Sequence, residues 1–402
     1  MRSVTEHQAV VAGLLSPVGA ATVPLDHAVG RVLAADHIAA LSLPSFDNSA
    51  MDGYAVRAAD VALASAASPV SLPVVEDIPA GRQDGPPLQP GTVHRIMTGA
   101  PMPAGADAVV PVEATDGGTT SVTITESRSA GSHVRYAGED VRPGQRVLTA
   151  GTVIGPAQVG LLTALGTTTV SVRPPLRVLV LSTGSELVEP GQPLGPGQIY
   201  ESNGPMLAAA VDAAGARAEL VRFVADNVAD FHAALAPHLA DADLILTTGG
   251  VSAGAYEVVK DALAGEDVTF TPVAMQPGKP QGAGTYRGVP IVTFPGNPVS
   301  ALVSFEVFLR APLRAAMGYP DVTRPIVRAI VAEPINAPAG RRQFRRGTLT
   351  SLEGSATVTH VGPPASHFLH ALANTDCLLD IPEDVTHLEP GDAVAVWDLR
   401  ES

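Results

Sequence analysis

Between Leu176 and Arg314 the apolar residues come in two alternating rhythms. Leu176-Arg177-Val178-Leu179-Val180-Leu181 is almost continuously apolar, the mark of a strand covered on both faces. Behind it, Asn203, Pro205 and Gly215 bracket a helix as N-cap, first-turn proline and terminating glycine. The alternation continues with strands predicted at 218–224, 244–247 and 290–293 and helices at 228–239, 257–263 and 299–314. Strand and helix in turn, with buried-type strands, predict a doubly wound parallel sheet. The flanks read differently. Helical spacing recurs at 4–15, 26–38 and 155–165, whereas 50–138 and the region after Tyr319 consist of short alternating runs broken by turns. Pro90-Gly91, Pro143-Gly144 and Pro390-Gly391 each precede such a run, as expected of small β modules. The last region reads as a separate C-terminal β-barrel.

In an open α/β sheet, ligands bind outside the carboxyl ends of the strands. At those ends the chain carries Ser182-Thr183-Gly184-Ser185-Glu186, then Asp226, then a glycine-rich turn from Thr247 to Gly254, and finally Pro295-Gly296-Asn297-Pro298. The Gly249-Gly250 turn leaves backbone N–H groups free to cradle an oxyanion, although no Gly-Lys-Ser/Thr follows and it is not a P-loop. Glu186, Asp226 and Glu257 make an oxygen donor set suited to Mg²⁺, and each reads equally well as a helix cap or a solvated charge. Lys279 stands between two prolines and a glycine that aim its ammonium; a plain exposed loop lysine is the alternative. One further stretch, Ser45 to Val56, has no period at all. Asn48 and Ser49 are placed to bond the backbone, Gly53 permits a positive φ, and Asp47 and Asp52 are either Asx-turn residues or functional acids.

Composition narrows the partners. A net charge of −15 weighs against nucleic acid or an anionic membrane surface as the main partner. No apolar run reaches the roughly 18 residues that a bilayer span needs, and the N-terminus lacks a signal-peptide pattern, so a cytoplasmic protein is expected. The single cysteine, Cys377, excludes an intrachain disulfide and a cysteine-cluster metal site. Of 25 basic residues only Lys260 and Lys279 are lysines, which sharpens the interest in Lys279 as a compact point charge.

Several long motifs then occur in one order. Phe46-Asp47-Asn48-Ser49-Ala50-Met51-Asp52-Gly53-Tyr54-Ala55, Arg95-Ile96-Met97-Thr98-Gly99-Ala100, Gly138-Glu139-Asp140, Ser182-Thr183-Gly184-Ser185-Glu186-Leu187, Thr248-Gly249-Gly250-Val251-Ser252, Pro277-Gly278-Lys279-Pro280 and Pro295-Gly296-Asn297-Pro298-Val299-Ser300 resemble the molybdopterin molybdenumtransferases, the MoeA and gephyrin E-domain family, nearly end to end. The resemblance implies an elongated N-terminal domain from 1–45 plus 139–174, a β-rich domain at 46–138, a molybdopterin-binding α/β domain at 175–320 and a β-barrel at 321–402. It implies insertion of molybdate into adenylylated molybdopterin, Mg²⁺-dependent and with release of AMP, by a homodimer whose site is built from both subunits. Carried over, Asp52, Thr98, Asp140, Glu186, Asp226 and Lys279 would be catalytic, and Glu186, Asp226 and Glu257 would hold Mg²⁺. Thr248, Gly249, Gly250, Val251, Ser252, Pro295, Gly296, Asn297, Pro298, Arg346 and Ser366 would bind the pterin or molybdate. Its partners would be these small molecules and the molybdopterin adenylyltransferase, with no nucleic acid and no membrane. Gln276, Ala255, Glu257 and Ala371 depart from the residues usual in the family, and Gln276 brings no charge where a lysine is frequent. A non-catalytic molybdopterin carrier and an enzyme of the adenylylation step are the competing readings.

Overall fold

The computed structural model describes residues 1–82, 84–221, 227–250, 258–352 and 355–400, with backbone only at 351, 352 and 355. Helix α1 (Val4–Leu14) opens on a capping box in which Ser3 Oγ accepts the Glu6 N–H and the Glu6 carboxylate accepts the Ser3 N–H. Its buried Val4, His7 and Val11 lie on one face, and the two valines join the core of the α/β region. His7 is fully buried, its ring edge-on to Phe308 at 4.7 Å, and burial together with the nearby Arg2 charge pushes its pKa down to about 4. A folded-state value below the ordinary 6.5 means that the unfolded chain takes up the proton first as pH falls. The stabilisation is therefore complete above pH 6.5 and is lost towards pH 4. Denaturant unfolding should show the wild type losing about 2 kcal/mol more than His7→Leu between pH 7 and pH 5. Parallel pH dependences of the two would refute this.

The helix expected at 26–38 does not form. Leu25–His27 is a single 3-10 turn, Gly30 adopts φ +78°, and Val32 and Leu33 bridge to Val153 and Val172 instead. His37–Ile38 pairs with Arg146–Leu148, so β-branched residues and a glycine override the spacing. Helix α2 (Pro156–Ala164) forms as expected and closes a small core with Leu25, Leu33, Ile154 and Val170. The chain enters and leaves the β-rich region through the ladder of Asn48–Ser49 on Val134–Arg135. In between it builds a five-stranded sheet in the order Ala108–Pro111, Gly53–Val56, Val93–Ile96, Val70–Ile78, Ser121–Ile124.

The central sheet has strands β1 (Arg177–Ser182), β2 (Arg217–Leu220), β3 (Leu244–Thr248), β4 (Asp267–Pro272), β5 (Pro280–Tyr286) and β6 (Val289–Phe294), in the order β2-β1-β3-β6-β5-β4. The first four in that order are parallel, whereas β5 runs antiparallel to its neighbours β6 and β4, so the sheet is mixed and not wholly parallel. The hairpin between β5 and β6 turns on Arg287 and Gly288, both at positive φ, as a twist-matched two-residue turn requires. Helices α3 (Asn203–Ala213), α4 (Val228–Leu235), α5 (Val258–Ala262) and α6 (Pro298–Ser304) cover the sheet, and α6 runs on through a π-turn at Phe305–Leu309 into Arg310–Ala316. Val178, Val180, Leu244 and Leu246 pack on the α3 and α6 side, while Leu179, Leu181 and Ile245 meet Phe231 and Leu235 of α4 and Val258 and Val259 of α5. Two covered faces explain why β1 and β3 lack alternation.

The C-terminal region is the expected barrel. Arg342–Leu352 pairs with Ser355–His360 on one side and Cys377–Ile381 on the other, closing a ring completed by Ile326–Val331 and Ala393–Asp398. A short segment between β4 and β5, Met275–Gln276, adds in parallel to Arg342 and Gln343 on that barrel. Among the described residues no helix is long and apolar enough to cross a membrane.

Candidate active site

The connections from β1 and β3 leave in opposite directions, so the crevice opens at their carboxyl ends, as it should at a topological switch point. The ends of β3 and β6 and the start of α3 are tied together there. Thr248 Oγ1 donates to the Pro295 carbonyl at 3.0 Å, and Asn203 Nδ2 donates to Thr248 Oγ1 at 3.2 Å and to the Gly296 carbonyl at 2.6 Å. Asn203 thus spends its side chain on strand ends and does not cap α3. The turn after β3 approaches Thr183 so closely that a Cβ on Gly249, at φ +93°, would lie 2.4 Å from the Thr183 carbonyl oxygen.

Two adjoining cavities result. The larger, about 630 Å³, is lined by Thr183, Glu186 and Glu201, by Thr248, Gly249 and Gly250, and by Asn297, Pro298 and His367. The smaller, about 390 Å³, is lined by Gln276, Lys279, Arg341, Ser366 and His367 among others. Gly296, Asn297 and His367 belong to both. The first presents the exposed Glu186 carboxylate and the buried Glu201 carboxylate, and the second presents cations.

The loop carrying Lys279 is fixed from behind. Gln281 Nε2 donates to the Gly278 carbonyl at 2.6 Å and to Ser304 Oγ at 2.7 Å, and the Val273 N–H donates to the Lys279 carbonyl at 2.7 Å. The Lys279 backbone is anchored while its side chain stays exposed. Arg346 does not line either cavity, contrary to expectation. It is 4 % exposed in the barrel wall, and its guanidinium donates to the carbonyls of Ala365 and Pro363, so a buried head group takes backbone acceptors and burial lowers its pKa. Its effect on the site is to hold the loop that presents Ser366 and His367. Arg341, five residues earlier in the same basic stretch, is the one that lines the cavity. Sequence reasoning also missed Glu201, Asn203 and His367, which belong to no motif and are brought in by the fold.

Asp226, Val251, Ser252 and Glu257 lie outside the described residues, as does Ala255. Among the described residues no group of three or more His, Cys, Asp or Glu side chains is arranged to hold a metal, and Glu186 is the one expected Mg²⁺ ligand whose position is described.

Asp52, Thr98 and Asp140 sit in and beside the β-rich region, all exposed, and none of them lines either cavity. Asp52 accepts the Thr98 N–H at 2.7 Å and the Thr98 hydroxyl at 2.8 Å through the same oxygen. Those bonds hold its carboxyl below the usual aspartate range. This is a pairing across 46 residues of chain and not an Asx turn. Asn48 and Ser49 do make the expected local backbone bonds, and Asp47 accepts the Ala137 N–H at 2.7 Å. Gly53 is required for close approach and not for positive φ: its Cβ would lie 2.0 Å from the Val110 carbonyl oxygen.

Comparison with known proteins finds family matches along most of the chain. Residues 2–166 match the family described as MoeA N-terminal region (domain I and II), residues 179–315 the probable molybdopterin binding domain, and residues 328–399 the MoeA C-terminal region (domain IV). The chain is 58 % identical over 406 residues to molybdopterin molybdenumtransferase 2 of Mycobacterium tuberculosis, covering 99 % of this chain and 100 % of that protein. It is 38 % identical over 425 residues to molybdopterin molybdenumtransferase 1 of the same organism, each covered in full. The crystal structure of the molybdopterin biosynthesis MoeA protein from Pyrococcus horikoshii superposes with a TM-score of 0.79 at 28 % identity, over 99 % of this chain and 100 % of that one.

Proposed function

The chain belongs to the molybdopterin molybdenumtransferase family, transferases of molybdenum cofactor biosynthesis, and from that premise we propose that it inserts molybdate into adenylylated molybdopterin with release of AMP. The observation that carries this reading is the pair of adjoining cavities, one acid-lined and one cationic, sharing Gly296, Asn297 and His367. A pterin with its phosphates fits the larger, beside the Gly249-Gly250 turn, where the Gly249 N–H is taken by the Phe294 carbonyl at 3.2 Å and is therefore not free for an oxyanion as the sequence suggested. Molybdate, a dianion, suits the smaller, where Lys279 and Arg341 supply charge. Holding both substrates across one divide converts an encounter of two molecules into a step within one complex.

The carboxylate of Glu186 at the cavity rim is a hard oxygen donor that fits Mg²⁺, with Asp226 and Glu257 as the further expected ligands. Mg²⁺ bound there would neutralise charge developing on the phosphates as the phosphoanhydride is cleaved. Glu186 would orient the adenylyl end, and Thr248 and Asn297, beside the Gly249-Gly250 turn and the cationic cavity, would fix the phosphates. Asp52 and Thr98 act in this scheme from the second subunit of a homodimer, because in one chain they line neither cavity. The four-domain division and the adenylyltransferase as substrate donor belong to the same proposal.

Purified protein supplied with adenylylated molybdopterin, molybdate and Mg²⁺ should release AMP and yield active cofactor. Pterin binding without AMP release would sink the enzyme reading in favour of the carrier, and consumption of ATP would favour the adenylylation step. Asp52→Asn should melt as the wild type does, because the residue is exposed, yet lower AMP release strongly. Mixing it with a Glu186→Gln variant should restore part of the activity if sites are shared between subunits, since heterodimers regain one intact site. No recovery in mixed dimers would argue for sites confined to single chains.

A further inference from the structure

Glu201 is the one carboxylate among the described residues that lines the larger cavity while itself being buried, at 6 % exposure. Its Oε1 accepts the Ser182 hydroxyl at 2.8 Å and the Gly204 N–H, in the first turn of α3, at 2.7 Å. Oε2 accepts no hydrogen bond among the described residues. The absence of a side chain at Gly204 makes room for it, since a Cβ there would stand 2.9 Å from Oε2. One oxygen is thus saturated and fixes the carboxylate, and the other is held in the cavity wall as a bare acceptor. The residue as a whole is buried, but Oε2 itself is open to the cavity and keeps acceptor capacity for a ligand.

A carboxylate accepts only, so the ligand must bring N–H or O–H groups, and the phosphates of the substrate are anions that Glu201 repels. Resting on the function proposed above, we infer that Glu201 reads the amino-pyrimidinone edge of the pterin, whose ring N–H and exocyclic amino group are adjacent donors. An adenine edge fits less well, because beside its amino group stands a ring nitrogen that is itself an acceptor. The assignment fixes the direction of the substrate. The pterin edge lies against β1 and the start of α3, and the phosphates extend towards the Gly249-Gly250 turn and the cationic cavity. Glu201 is therefore a specificity-determining contact of the substrate.

The test is a fluorescence titration of the full chain with 6-hydroxymethylpterin and with the matching 2-oxo analogue, in which a carbonyl replaces the amino group. The wild type should prefer the pterin by about 10- to 100-fold, the worth of hydrogen bonds to a charged group. Glu201→Gln should bring the two ligands to near parity by weakening the pterin alone, which a purely structural role would not do. Glu201→Asp, should the amide variant fold poorly, should keep the preference while binding more weakly. Equal binding of both ligands by the wild type, or an unchanged preference in Glu201→Gln, overturns the assignment. Guanosine presents the same edge on another ring system, and tighter binding of guanosine than of pterin would also overturn it. A pterin preference that depends on Glu201 in a protein that inserts no molybdenum would leave this inference standing and sink only the transferase reading.

Discussion

Lys279→Met is expected to lower AMP release from adenylylated molybdopterin in the presence of molybdate by about 100-fold or more while leaving the melting temperature nearly unchanged. The two halves of this expectation have separate causes. Stability is spared because the side chain is exposed, and the structural bonds of its loop run through the Gly278 and Lys279 carbonyls and Gln281, which the substitution does not touch. Activity suffers because the smaller cavity has few cations to begin with. Arg341 remains, but Gln276 is neutral and Arg346 is committed to the carbonyls of Ala365 and Pro363. A dianion held by one guanidinium in place of an ammonium and a guanidinium loses an interaction that strengthens as charge moves onto it. Lys279→Arg keeps the charge but exchanges a compact ammonium for a planar fork, and it should recover only part of the loss. Steady-state assays of AMP release decide the matter, and a loss below threefold in the methionine variant would remove Lys279 from the site.

Gly249→Ala should destabilise the protein by about 3–4 kcal/mol, against about 1–2 kcal/mol for Gly250→Ala one residue later. Both glycines are at positive φ, so conformational preference does not separate them. What separates them is the neighbour that has to give way. At Gly249 the new Cβ meets the Thr183 carbonyl at 2.4 Å, and that backbone is pinned by the Thr183 N–H bond to the Thr248 carbonyl at 3.0 Å. The nearest atom at Gly250 is Val259 Cγ2 at 2.8 Å, a side-chain methyl, with the nearest backbone atom, Val259 N, at 3.1 Å, a much milder approach than at Gly249. Relief of the first clash means parting β1 from β3 at the crevice, so pterin binding should fall together with stability. Urea unfolding of the two variants makes the comparison, and equal losses would show that backbone conformation alone governs this turn.

The parts of this molecule that sequence reveals are those where burial dictates composition. β1, β3 and β6 are largely apolar because helices cover both faces, and their carboxyl ends could be located from the residues alone. β5 escapes notice because Gly282 and Gly284 stand where alternation would be read. Their hydrogens make way for Thr293 and for the Asp267 backbone, a requirement of close strand approach that leaves no apolar trace. Similar logic applies to the site. Lys279 and the Gly249-Gly250 turn are legible because their local chain constrains them. Arg341 and Arg346 look alike in sequence, and only the closure of the barrel decides which guanidinium is walled in. Glu201 gains its meaning from Ser182, 19 residues upstream and on a neighbouring element, which no local pattern encodes.

Met275–Gln276 is shared property: it follows β4 in the central sheet, is bonded along the barrel strand that begins at Arg342, and three residues on it becomes Lys279. That arrangement works as a tie rod. Tilting of the barrel relative to the sheet must either break the ladder at Gln276 or carry the Lys279 loop along, because the Arg342 N–H is also bonded to the Ala274 carbonyl at 2.9 Å. Arg341, Ser366 and His367 ride on the barrel, so both jaws of the oxyanion cavity travel on one linkage. The width of that cavity is then preserved when the barrel shifts, so the two sides that grip an oxyanion stay in register.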